Sequence, residues 1–356
     1  MRFMSQRGYV ETSANAGADH AARMGAPARC DEAHARRVLS AALALLLIGL
    51  PSAPSFGDAA LPVAKMHLKG EGAASERAWI FGLARRGDDL WAVGSPGILV
   101  RRHGASEWTR VASTVTRVPL DVAFAPSGAG VVVGQEGAIW EAAAGADQWT
   151  PRDVKETQRL FAVAASGKGE FLAVGAFGTI WDRPAGSNDW RKVPTRWAEW
   201  DGPHLYDVLF LDDTTAVAVG ERGTVLKIQD GAVAEEKQYG DESLFAIAHC
   251  GSSLVTAGQA GLVMIGDLSS GWKDTHLPDK PDMYGLSCLG DDRVAATSAG
   301  FVLVGTDQGG TWDWRKWENN PTRVGWYSGI IAKPDGEVLI AGQGDVWGGK
   351  INLQAE

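Results

Sequence analysis

The sequence predicts an all-β fold, a seven-bladed β-propeller of four-stranded blades. Three observations lead there. An eight-residue motif recurs as VGSPGILV from 93, VGQEGAIW from 133, VGAFGTIW from 174, VGERGTVL from 219, AGQAGLVM from 257, ATSAGFVL from 296 and, shortened, AGQGDVW from 341. Its first turn residue falls at Gly94, Gly134, Gly175, Gly220, Gly258, Thr297 and Gly342, so the copies lie 38–45 residues apart, the period of a propeller blade. The 356 residues also include 45 Gly and 15 Trp, a pairing suited to many short strands joined by tight turns.

Each repeat supplies the same elements in the same order. An apolar strand comes first, such as LDVAFA at 120–125, LFAVAA at 160–165, LYDVLF at 205–210 and LFAIAH at 244–249. After a polar turn, a second strand such as GVVVG or FLAVG runs into a Gly-x-x-Gly turn, and a third strand leaves it. A fourth segment often opens on tryptophan, at Trp108, Trp149, Trp190 and Trp272. Glycine reaches φ > 0 without the steric cost other residues meet, which suits a hairpin turn. The second glycine of the turn is present in every copy, at Gly97, Gly137, Gly178, Gly223, Gly261, Gly300 and Gly344. A phosphate-binding glycine loop would occur once and open a helix, whereas this one recurs between strands. It is a turn. The last repeat, from about Gly325, has only three strands. LPVAKMHL at 61–68 is expected to pair as its outer strand, so that the N-terminal strand of the mature chain closes the last blade and removes an exposed edge.

Residues 1–57 read as an export signal with an upstream extension, and 58–356 as one propeller domain. Arg36 and Arg37 precede an apolar run from Val38 to Leu50, followed by small residues and proline up to Gly57. That is the pattern of a secretory signal, cleaved near Asp58. The run is shorter than the ~20 residues of a membrane span. A periplasmic protein with no membrane insertion after cleavage is expected. Residues 58–356 carry 28 basic and 39 acidic side chains with no basic cluster. Nucleic acid is disfavoured, because phosphates call for a positive stripe, and so is polybasic attachment to anionic lipid. Cys250 and Cys288 fall at similar positions in successive repeats and either form a bridge or stand as two buried thiols.

The apolar strand, the VG-x-x-G-x-I turn and the final tryptophan resemble the BNR-like propellers of the photosystem II stability and assembly factor family, across 77–356. GTDQGGTW at 305–312 resembles an Asp-box, with Asp307, Gly309, Thr311 and Trp312 in register and Gly305 where Ser is usual. In that motif the aspartate and the turn backbone hold a hairpin together, a structural role. The resemblance implies an exported, non-catalytic scaffold or assembly factor that binds protein partners of a membrane-associated or transport complex.

No cofactor or metal is expected: the histidines of 58–356 show no metal-ligand spacing, and there is no G-x-S-x-G elbow. The alternative function is a carbohydrate-active hydrolase of sialidase type with its site at the central channel. Such a site needs an arginine triad, a tyrosine nucleophile with a glutamate beside it and an acid aspartate, and the repeats mark no such set.

The candidate binding residues lie where each blade begins. Phe81, Leu120, Phe161, Tyr206, Phe245, Tyr284 and Tyr327 occupy equivalent positions. They form either an aromatic ring at one mouth of the channel or, more ordinarily, packing between adjacent blades. Asp121 and Asp207 each follow that position. They either bridge a cation or basic peptide group near the axis or, more commonly, accept backbone N–H bonds. The longest connections, PTRWAEWDGPH at 194–204 and RKWENNPTRVGW at 315–326, precede innermost strands and so share a face with the aromatic positions. Arg196, Trp197, Trp200, Trp317, Arg323 and Trp326 are the residue types that dominate protein–protein hot spots. The other reading is that these tryptophans fold back and cap blade edges. A monomer that binds protein partners through this face is expected.

Overall fold

The computed structural model describes residues 60–75, 77–319 and 325–354. The expected export signal, its expected cleavage near Asp58, and Arg323 lie outside the described residues. The described chain forms seven sheets that follow one another in sequence order. Their innermost strands are Trp79–Arg86, Pro119–Phe124, Leu160–Ala165, Leu205–Phe210, Leu244–Cys250, Gly285–Cys288 and Tyr327–Ala332. Each neighbours the innermost strand of the next blade, and the seventh meets the first, so the blades close a ring around a channel. This is the seven-bladed propeller that the repeat predicts.

The second strands explain why the repeat is so apolar. All five residues of Gly130–Gly134 are buried, as are those of Phe171–Gly175. A strand covered on both faces loses the in–out alternation of a half-exposed one. In the second blade, Val132 packs with Trp91 and Leu99 of the first, while Val131 and Val133 pack with Leu160 and Phe171 of the third. Each sheet is thus glued to both neighbours by its middle.

The two glycines of the turn do different work. Gly137 has φ +63, following Glu136 at φ +56, the double positive-φ geometry of a tight hairpin. Gly134 is extended, at φ −170, and serves close approach instead. A Cβ there would lie 2.3 Å from the Val118 carbonyl oxygen. That approach accompanies a β-bulge at the start of the innermost strand in six blades. The sixth blade has Thr297 in place of the glycine, and its Gly285–Cys288 strand pairs without a bulge.

The N-terminal segment pairs differently from expectation. Val63–Met66 adds to the sixth blade, parallel to Trp312–Asn319, rather than to the seventh. Lys316 N–H donates to the Pro62 carbonyl at 3.0 Å, and Met66 is buried. The eight-residue Trp312–Asn319 strand offers the longer free edge. Lys69–Gly70 then pairs antiparallel with Val346–Lys350 of the seventh blade.

Two smaller features bear on the sequence reading. Cys250 and Cys288 are disulfide-bonded, with their Cα atoms 5.5 Å apart, joining the innermost strands of the fifth and sixth blades. In the Asp-box, Gly310 N–H donates to Asp307 Oδ1 at 2.6 Å and Gln308 N–H to the Thr311 carbonyl at 2.8 Å. A second turn of the same build, missed in the sequence, has Ser269 and Ser270 N–H donating to Asp267 at 2.6 Å.

Candidate functional site

The glycine turns and the inter-blade connections share one end of the propeller, here called the upper face. There the channel opens into a cavity of about 580 Å³, within the 300–1,000 Å³ usual for ligand sites. The bulge aims the wall. It places Phe81, Leu120, Phe161, Tyr206 and Phe245 at the unpaired position of their strands, and a bulge re-aims the side chain it carries.

The aromatic rings of the mouth touch in succession. Phe161 and Tyr206 have centroids 5.5 Å apart, Tyr206 and Phe245 5.3 Å, and Phe245 and Tyr284 5.7 Å, nearly stacked. Tyr284 meets Trp326 at 5.2 Å, and Trp326 meets Phe81 at 6.4 Å. The readings of channel mouth and inter-blade packing therefore coexist: each ring is half-buried against its neighbour and lines the cavity. Burial, with the charge of Glu221 next, pushes the Tyr206 phenol up to about 12, and its hydroxyl donates to Glu221 Oε1 at 3.3 Å. Tyr284 is likewise raised by burial and then by the Asp282 charge.

The arc has an extension. Tyr206 and Phe161 both meet His204, at 6.2 and 5.9 Å, and His204 meets Phe177 edge-on at 4.7 Å. Phe177 N–H donates to His204 Nδ1 at 3.0 Å, which fixes that ring. Trp200 then stands against Phe177 at 5.2 Å. An unbroken aromatic track thus runs from Trp326 through the mouth to Trp200. Trp200 is 55% exposed and holds φ +74, a left-handed conformation costly for a bulky residue.

Asp121 and Asp207 lie in the cavity wall, on the second and fourth blades. Asp121 Oδ2 accepts Val163 N–H at 2.9 Å from the third blade; Asp207 Oδ2 accepts Ile247 N–H at 2.9 Å from the fifth. Asp207 Oδ1 also accepts Val208 N–H at 2.8 Å. Each carboxylate links its innermost strand to the next. Burial raises both to about 7, against the lowering effect of these backbone donors. For Asp121 the charge of Asp207 adds to the rise.

The other candidates separate. Arg196 is exposed and holds Glu236 through two hydrogen bonds, of 2.5 and 2.7 Å. Trp197 folds back: its ring fills the space where a Cβ of Gly178 would stand, 2.3 Å away, so that turn position has room for glycine alone. Trp317 and Tyr327 are corrections. Trp317 is buried in the ladder of the sixth blade, opposite Val302 and Ala64, so it is unavailable to a partner. Tyr327 is buried too, because the bulge of the seventh blade falls one residue later, at Ser328. Trp326 takes the place at the mouth that Tyr327 was expected to hold. Phe177, His204 and Arg159 were not foreseen. Phe177 carried a signal, as the only aromatic residue at its turn position among the seven repeats. Among the described residues no group of three or more His, Cys, Asp or Glu is placed to hold a metal ion.

Comparison with known proteins bears on the fold. Residues 100–197 match the model of the family described as Photosynthesis system II assembly factor YCF48. A solved structure of YCF48 bound to a D1 peptide superposes with a TM-score of 0.64 at 18% identity, covering 85% of this chain and 99% of that one. The resemblance read from the repeats is present in both matches, and at this identity the structural likeness concerns the fold. No curated protein matches the chain.

Proposed function

We propose that this chain is an exported, non-catalytic propeller whose upper face binds an extended segment of a protein partner, as an assembly factor for a membrane-associated or transport complex. The aromatic track from Trp326 to Trp200 carries the reading. Binding energy concentrates on large aromatic residues at the centre of an interface, and here they form a continuous line on a rigid scaffold. The YCF48 structure, with its bound D1 peptide, supports the reading by fold-level analogy. The proposed location is the periplasm, and the proposed working form a monomer.

The test is crosslinking in the native envelope with wild type and with Trp200→Ala/Phe177→Ala. A protein captured by wild type and lost in the variant supports the track as the interface. Unchanged capture overturns it. N-terminal sequencing of the protein made in its host checks cleavage near Asp58; an intact Val38–Leu50 segment overturns the soluble form.

A second reading, a hydrolase acting on glycosides, has one observation in its favour: two channel carboxylates raised to about 7. An acid–base pair needs groups with different protonation states, whereas these two share one environment and both accept backbone N–H groups. Turnover of a glycoside panel that disappears in Asp121→Asn or Asp207→Asn would establish the enzyme and sink the scaffold.

A further inference from the structure

We infer that the channel mouth receives one cationic side chain, a lysine or arginine of the bound polypeptide, caged by aromatic rings above Asp121 and Asp207. The inference rests on the peptide-binding reading and names what its centre recognises.

Three observations converge. The cavity is lined by rings in unbroken contact, Phe161, Tyr206, Phe245, Tyr284 and Trp326. The faces of such rings are the negative part of their quadrupole and attract ammonium and guanidinium groups. The same wall holds two carboxylates from blades on either side of the third. Among the described residues their hydrogen-bond partners are backbone N–H groups, that of Val163 for Asp121 and those of Ile247 and Val208 for Asp207. A carboxylate accepts at about four lone-pair positions, so each has acceptor capacity beyond these bonds. Third, the chain has a formal net charge of −9, which draws basic partners and steers their approach.

Other guests fit less well. An apolar side chain would seal two carboxylates from water without a counter-charge, which costs more than the rings return. Among the described residues of the cavity lining, an anionic guest would have Arg159, itself exposed, as its one cation, against two carboxylates. A cation satisfies both features of the wall. It also stabilises the ionised form of each aspartate, drawing both below the 7 or so that burial imposes.

The test uses the purified exported protein and three probes: N-acetyl-lysine N-methylamide, the arginine analogue, and the neutral isostere N-acetyl-norleucine N-methylamide. The readout is the indole N–H resonance of Trp326, assigned by its loss in Trp326→Phe. The lysine and arginine probes are expected to shift it saturably, with the norleucine probe about tenfold weaker. Asp121→Asn/Asp207→Asn should weaken the cationic probes about tenfold, and Arg159→Ala should leave them equal or tighter by about two- to threefold. Should the double variant fail to fold, Tyr284→Leu, which removes a cage wall and no backbone acceptor, carries the same expectation. Equal binding of the norleucine probe, or loss of binding in Arg159→Ala, overturns the cation site. Envelope crosslinking that persists while the amine probes fail overturns the cage and leaves the peptide-binding reading standing. Crosslinking lost altogether overturns the polypeptide source of the cation.

Discussion

Two connections break the repeat, 194–204 and 315–326, and both are rich in tryptophan and arginine. Their tryptophans have opposite fates. Trp200 is 55% exposed on the upper face, whereas Trp317 is 6% exposed inside the sixth blade. The outer strand before the first connection is only Arg191–Lys192, so the chain leaves the sheet early and Trp200 stands on a loop. The outer strand of the sixth blade runs on through Trp312–Asn319, and Val63–Met66 pairs along its far side. Trp317 is therefore a strand residue with a ladder on both flanks. Aromatic content alone does not separate a binding loop from a long edge strand. What separates them is whether another segment arrives to cover the edge.

Trp317→Ala against Trp200→Ala tests this contrast most directly. Removing a buried tryptophan costs about 3–5 kcal/mol, so Trp317→Ala should lower the denaturation midpoint strongly. Trp200→Ala removes a ring half in water and should cost about 1 kcal/mol or less. Similar midpoints for the two variants would mean that the two connections are packed alike. Deleting residues 60–66 should weaken the Trp317 environment in the same direction, read as a red shift of tryptophan emission.

The strands that the two connections feed sharpen the difference. After the first comes Asp207; the equivalent position after the second is Gly329, by the bulge register. Asp207 keeps its proton up to about 7 in the folded protein, against 3.8 for a free aspartate. Between these values the folded state holds a proton that the unfolded chain has released. Stability therefore falls as pH rises from about 4 to about 7, and is level above that. Asp207→Asn should remove this share of the fall, seen as a flatter curve of denaturation midpoint against pH than wild type. The comparison must be wild type minus variant, because Asp121 and Glu170 are raised to about 7 as well. An Asn variant that follows the wild-type slope would place Asp207 in water.

Most of the ring was legible because its signal is periodic. The spacing of Gly94, Gly134 and Gly175 gives the blade, and the apolar middle strands give the packing between blades. The candidate site was legible where it follows the period, as with Phe161, Tyr206, Phe245 and Tyr284. It was misread where one residue of register decides. Tyr327 and Ser328 exchange roles through a bulge that no residue type announces, since Tyr suits both places. The pairing of Val63–Met66 was misread for another reason. Alternation shows that a segment is a strand, but not which of two free edges it joins. Phe177 and His204 join the site through contacts between a turn and a connection, a tertiary proximity absent from local pattern.

Smaller effects separate packing from recognition within the first connection. Trp200 has φ +74, so its ring is held at a backbone cost that glycine does not bear. Both Trp200→Gly and Trp200→Ala lose the contact with Phe177, but glycine relieves the left-handed strain. Trp200→Gly should therefore be the more stable of the two by about 1 kcal/mol, and both should lose the crosslinked partner. The reverse order would remove the strained conformation from the account. Arg196 gives the smallest expected change. Its guanidinium spans both oxygens of Glu236, yet the side chain is 75% exposed, where water and salt screen the pair. Arg196→Ala should leave the denaturation midpoint at the wild-type value in both low and high salt. A loss of partner capture in this fully stable variant would then belong to the interface itself. It would extend the contact from the aromatic track to the outer edge of the fourth blade.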